Sequence, residues 1–131
     1  MLSMLDKAYL FDFLSCFEQI KKEPNKYHFK EASLQKFLND NRIYIGSLSD
    51  FSEKKCKRKG YHRFVKVARV SAFEILRHIR NAIAHGRIEY QSKNVLKLTD
   101  YSSRTQSFTM KASIRRDLMI SLIKEIKKTY Q

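Results

Sequence analysis

The residues best equipped for chemistry stand in one run, Arg77, His78, Ile79, Arg80, Asn81, Ala82, Ile83, Ala84, His85, Gly86. Imidazole gives and takes protons near neutral pH, so His85 is the candidate general base or acid. A guanidinium keeps its charge and offers two parallel hydrogen bonds to phosphate oxygens, which makes Arg80 the candidate electrostatic stabiliser. Asn81 is suited to orienting either of them. On a helix Arg80 and His85 lie roughly 140° apart, straddling Arg77 and Asn81, with space for a phosphate between. The helix dipole favours a charged His85, whereas Arg80 and Arg87 oppose it, and the sequence leaves its protonation open.

An Arg followed by a polar residue, with four residues between that Arg and a His at the end of a late helix, resembles the signature of the HEPN superfamily. Arg80, Asn81 and His85 are the matching residues, set among the small Ala82 and Ala84 and followed by Gly86. The resemblance implies a small helical bundle, metal-independent endoribonuclease activity and an active site completed by a homodimer. Cleavage of that kind needs a base for the ribose 2′-OH, a cation for charge gathering on phosphorus and an acid for the departing 5′ oxygen. One chain offers one such His, so pairing two copies about a two-fold axis supplies the second. Small basic domains of this kind also resemble toxins and phage-defence effectors, which implies an antitoxin or inhibitor protein as a partner. In one variant of the pattern a Tyr two positions after the His is the target of a nucleotidyltransferase antitoxin. Arg87 stands there instead and Tyr90 does not match, so that control is not carried over.

Charge separates the chain into two parts. Of its 131 residues 27 are Lys or Arg and 13 Asp or Glu, for a net charge of +14. Residues 1–53 are nearly balanced at −1, which leaves +15 on residues 54–131 and points to a polyanionic partner. Lys54 to Arg69 holds eight basic residues and no acidic one. Candidate RNA contacts are therefore Lys54, Lys55, Lys57, Arg58, Lys59, Arg63, Lys66 and Arg77, with Tyr61 placed to stack on a base. A basic helical module that binds nucleic acid without cleaving it is the alternative reading.

Several classes are disfavoured. Two-metal nuclease chemistry needs clustered carboxylates, and only Glu74 and Glu89 flank the run. Glu74, His78 and His85 fall on one helix face, but an unmetallated polar stripe is the better reading, so neither metal nor cofactor is expected. Glu74 and His78, one turn apart, read as a surface pair or as an aid to the site. Two Cys 40 residues apart make neither a disulfide framework nor a zinc module. The absence of a membrane-length apolar run, and of a basic start in Met1 to Lys7, leads to the expectation of a non-exported cytoplasmic protein.

The elements that must position these residues are read from spacing. With three Gly, one Pro, nine Phe and seven Tyr, the composition suits one mainly α domain over residues 1–131. The expectation is a bundle of four to five helices with a small β-hairpin or meander between the motif helix and the last helix. Leu2, Leu5, Tyr9, Phe13, Phe17 and Ile20 outline a first helix stopped by Pro24, and Ala32, Leu34, Phe37 and Leu38 a second. Residues 41–52 read as a connection. Tyr61 to His85 contains no Gly or Pro and reads as one long helix with Gly86 as its C′ residue. Its core face would carry Phe64, Val65, Ala68, Ala72, Ile75, Leu76, Ile79, Ala82 and Ile83. Val67, Val70 and Phe73 would then interrupt the polar face as a dimer interface. Three β-prone stretches follow, Arg87 to Gln91, Val95 to Thr99 and Gln106 to Met110. Ser113 is the expected cap of a last helix carrying Ile114, Leu118, Leu122 and Ile126.

Overall fold

Arg63 to Val67 alternates between half-buried and buried side chains, with Val65 and Val67 inside, which is the two-residue period of a strand. In the computed structural model, which describes residues 2–131, the expected long helix is therefore two elements. Strand β2 (Arg63–Val67) ends before helix α4 (Ala72–Ala84) begins at its cap, Ser71. Ser71 is extended (φ −154°, ψ 157°), and its Oγ accepts from the Glu74 backbone N–H at 3.1 Å. The Ser-x-x-Glu spacing that signals a helix start was present in the sequence. Freedom from Gly and Pro does not by itself keep a helix going where β-branched residues alternate.

The mainly α bundle expected from composition is corrected in the same way: the fold is α/β, built on a five-stranded mixed sheet. Its strands run β1 (Ile43–Ser47), β2, β5 (Ser107–Arg115), β4 (Val95–Ser102), β3 (Ile88–Ser92) across the sheet. β1 and β2 are parallel and the other pairs antiparallel. The three β-prone stretches after Gly86 are strands as read, the second and third longer than expected, and they join the two missed strands instead of forming a separate hairpin.

Helices α1 (Met4–Lys22), α2 (Glu31–Asp40) and α5 (Leu118–Lys127) fall near their expected places, and α3 (Glu53–Arg58) is a short addition capped by Ser52. Ser113 does not cap α5; it is buried in β5, and Asp117 precedes the helix. Leu10, Phe13 and Phe17 of α1, Ile75, Ile79 and Ala82 of α4, and Leu122 and Ile126 of α5 join Val65, Val67, Leu96, Leu98, Met110, Ala112 and Ile114 of the sheet in one hydrophobic cluster. A buried carboxylate, Asp6, fastens the start of α1: it accepts from the Tyr90 hydroxyl of β3 and lies 3.3 Å from Arg116 Nε.

β4 and β5 pair in register until Asp100 meets Met110, and then Tyr101 meets Phe108. Thr109 is the extra residue of this bulge, and the strand is re-aimed around it. No helix among the described residues is long and apolar enough to cross a membrane.

If Ser71 separates the two elements, Ser71→Ala removes one side-chain bond from the start of α4. A loss of about 1 kcal/mol is expected in urea unfolding; an unchanged midpoint would mean that the cap contributes nothing.

Candidate functional site

α4 buries Ala72, Ile75, Leu76, Ile79 and Ala82 against the sheet and α1, and this fixes how it presents the rest of its surface. His78, on a turn that also faces the sheet, is buried, with 4% exposure. Its Nδ1 lies 2.6 Å from Oδ2 of Asp100, itself 4% exposed. A carboxylate can only accept, so Nδ1 carries the proton and donates. The same Oδ2 accepts from Asn81 Nδ2 at 3.2 Å. With its amide nitrogen taken by Asp100, Asn81 turns its carbonyl oxygen outward, where Arg80 Nη1 donates to it at 3.2 Å. Arg80 Nε lies 3.7 Å from Glu18 of α1, and the side chain stays about one-third exposed. Asp100, Asn81 and Arg80 thus form a relay from the core to the surface.

Asp100 is the functional residue that sequence reasoning missed. Its signal was the strand alternation, which sets Leu96, Leu98 and Asp100 on one face and so puts one carboxylate among apolar side chains. Thr109, the bulge residue, completes the cluster: its hydroxyl donates to the Asp100 carbonyl at 3.3 Å and approaches His78 Nδ1 at 3.4 Å.

On the solvent side of His78, Nε2 stands 3.4 Å from both Glu74 Oε2 and Arg77 Nη2. Arg77 donates to Glu74 at 2.6 Å. That hydrogen bond, reinforced by nearby positive charge and opposed by burial, holds the Glu74 carboxyl below the usual glutamate range. Glu74 and His78 are therefore a pair, as one reading had it, but half-buried and joined to Asp100, not a surface pair.

His85 is the C-cap of α4 and is exposed. The chain turns there by a pair of bonds, Gly86 N–H to Ile83 carbonyl (3.2 Å) and Arg87 N–H to Ala82 carbonyl (2.8 Å), with Gly86 at φ +68°. This is the Schellman geometry in which the C′ residue is left-handed. Among the described residues no hydrogen bond or ion pair engages the His85 ring, and no group of three or more His, Cys, Asp or Glu has the geometry of a metal site.

The other expected residues divide. Lys54, Lys55, Lys57 and Arg58 are exposed on α3, with Lys59 just beyond it. Arg63 and Lys66 are half-buried on β2, not on the motif helix, and Arg77 stands beside the Glu74–His78 pair. Val67 is wholly buried in β2, so it faces the core and no second copy. Val70 and Phe73 are exposed (41% and 54%), with the Phe73 ring 6.1 Å from that of Phe17. Tyr61 is occupied locally: its hydroxyl bonds Asn39, and Arg42 lies over its ring. Cys16 and Cys56 are free and buried, and burial pushes both thiols up.

The family model described as HEPN pEK499 p136 matches residues 6–131. No curated protein and no solved structure matches the chain.

Two outcomes follow from the network. Asp100→Ala leaves the His78 and Asn81 donors buried without their acceptor, and a loss of about 3 kcal/mol or more is expected in urea unfolding; a loss below about 1 kcal/mol would mean that the carboxylate is not their anchor. A carboxyl whose folded value is lowered adds stability above its unfolded value, and this fades as the pH falls through the folded one. Glu74→Gln is therefore expected to lower the urea midpoint at neutral pH and to converge with wild type in acid. A gap of constant size across that range would show that Glu74 is not the titrating partner.

Proposed function

The chain belongs to the HEPN pEK499 p136 family, and from that membership and the arrangement on α4 we propose that it is a metal-independent endoribonuclease with Arg80, Asn81 and His85 as its catalytic residues. The observation that carries this reading is the Asp100–Asn81–Arg80 relay, which aims a guanidinium outward on the helix that ends in an exposed His85. A preset cation is what a phosphate gathering charge requires, because it needs no reorganisation at the moment of reaction.

In the proposed reaction neutral His85 takes the proton of the ribose 2′-OH. The 2′ oxygen bonds to phosphorus, the bond from phosphorus to the 5′ oxygen breaks, and the leaving oxygen receives a proton from a second imidazolium. Arg80 stabilises the pentavalent state, and Asn81 keeps Arg80 in place. The products are a 2′,3′-cyclic phosphate and a 5′-hydroxyl.

The second imidazole is His85 of another copy. Val70 just before α4, Phe73 in its first turn and Phe11 on α1 are large exposed apolar side chains, and burying them between copies supports a homodimer. Lys54, Lys55, Lys57, Arg58 and Lys59 supply phosphate contacts away from the reacting bond. A growth-arresting toxin or defence effector, held in check by an inhibitor protein, is the biological role that such an activity would serve.

The test is incubation of cellular RNA with the protein in EDTA, with the ends assayed chemically. Cyclic phosphate ends are expected, and His85→Ala and Arg80→Ala are each expected to slow cleavage about 100-fold or more. Gly86→Ala, strained at its positive φ, is expected to reduce cleavage more than its cost in stability of about 1 kcal/mol accounts for. Cleavage by His85→Ala at the wild-type rate would refute the assignment and leave nucleic-acid binding without catalysis.

A further inference from the structure

Helices α1, α2, α4 and α5 pack on one side of the sheet, and the other side, with α3 at its edge, carries a different set of residues. Between the buried Val65 and Val67 of β2 stands Lys66; between the buried Met110 and Ala112 of β5 stands Lys111; beyond them in register lies Thr99 of β4. The next row holds Phe64, Ser113, Lys97 and Glu89. Below the bulge Tyr101 and Phe108 pair with ring centroids 5.4 Å apart, and Arg87 lies over Tyr101.

Lys66 and Lys111 are directly opposed on neighbouring antiparallel strands, where like charges repel. No carboxylate bridges either amine among the described residues. Instead Lys66 Nζ lies 4.6 Å from the Phe51 ring centroid and Lys111 Nζ 4.7 Å from that of Phe108. Glu89, the acidic residue of this rows' edge, is paired with Lys97 at 3.8 Å. A groove of about 660 Å³ runs over these residues from α3. Through Lys97, Thr99 and Phe108 it continues into a hollow of about 300 Å³ lined by Gly86 and Arg87, the two residues after His85.

We propose that this open face, where the opposed Lys66 and Lys111 meet the exposed Phe108 ring, is a binding track for single-stranded RNA that leads toward His85. The two amines hold one or two backbone phosphates, and Phe108 stacks on a base. The pairing of unneutralised lysines with ring faces is the chemistry of an unstacked polyanion with aromatic bases. A duplex keeps its bases within its own stack and offers Phe108 nothing to stack on. RNA as the ligand, and the direction of the track, rest on the proposed nuclease function; the track itself does not.

Binding is read by fluorescence anisotropy with a labelled 2′-O-methyl oligouridylate, which has no free 2′-OH for the proposed reaction. Lys66→Ser with Lys111→Ser is expected to weaken binding about tenfold or more at low salt. It is also expected to reduce the slope of log Kd against log salt by about 1.4, for two lost phosphate contacts. Phe108→Ala is expected to weaken binding at least about fivefold and leave the slope alone. An RNA duplex of equal length is expected to bind less tightly and to ignore Phe108→Ala. Both variants sit on exposed or half-exposed positions, and melting curves matching wild type confirm their folds. Wild-type affinity in both folded variants, or tighter binding of the duplex, overturns the track. The expected losses in a protein that cleaves no RNA would support the track and remove the nuclease; cleavage with undiminished affinity in both variants would remove the track alone.

Discussion

The bond between the Asp100 carboxylate and the His78 imidazole, 2.6 Å long and shut away from water, is the constraint on which the candidate site depends. A buried carboxylate is tolerated only where donors surround it, and here His78 and Asn81 both serve one oxygen. That requirement locks α4 to β4 in a single register. It also settles which way the Asn81 amide faces, and with it where the Arg80 guanidinium goes. The polarity at the surface is dictated by a debt of hydrogen bonding in the interior.

The two sides of the sheet differ in chemistry. Apolar residues at alternate positions bind the helices, and the intervening positions are left to lysines, aromatics and hydroxyls. The excess of positive charge after residue 53 is not concentrated beside Arg80, because α3 and the Lys66 row lie along the groove while the relay lies under α4. The motif helix ends where its left-handed Gly86 hands the chain over to the hollow at the end of that groove, and His85 is the residue just before it.

Much of this was legible in the residues. The Gly86 stop, the first two helices and the three strands after Gly86 all follow from local rules that the structure obeys. What was lost depended on contacts distant in sequence. Tyr61 to Val67 suits a helix wheel as well as a strand, and only pairing with β1 and β5 decides between them. Once β2 was read as helix, Val67 was turned outward, although as the strand's inward residue it is fully enclosed. Asp100 was passed over for a related reason: the expected strand stops at Thr99, so the carboxylate after it reads as part of a turn, and the partners that draw it into β4 are 19 and 22 positions away.

The extra residue at Thr109 reaches further than a local irregularity. By shifting the phase of β5 it turns its own hydroxyl toward the buried imidazole and keeps the phenyl ring of the preceding Phe108 on the solvent side. Pairing the same residues in an unbroken ladder would exchange the two: Thr109 would fall opposite Tyr101 on the groove side, and the Phe108 ring would turn to the helix side and leave the groove without its platform. The phase of one hairpin strand therefore governs both sides of the protein at once.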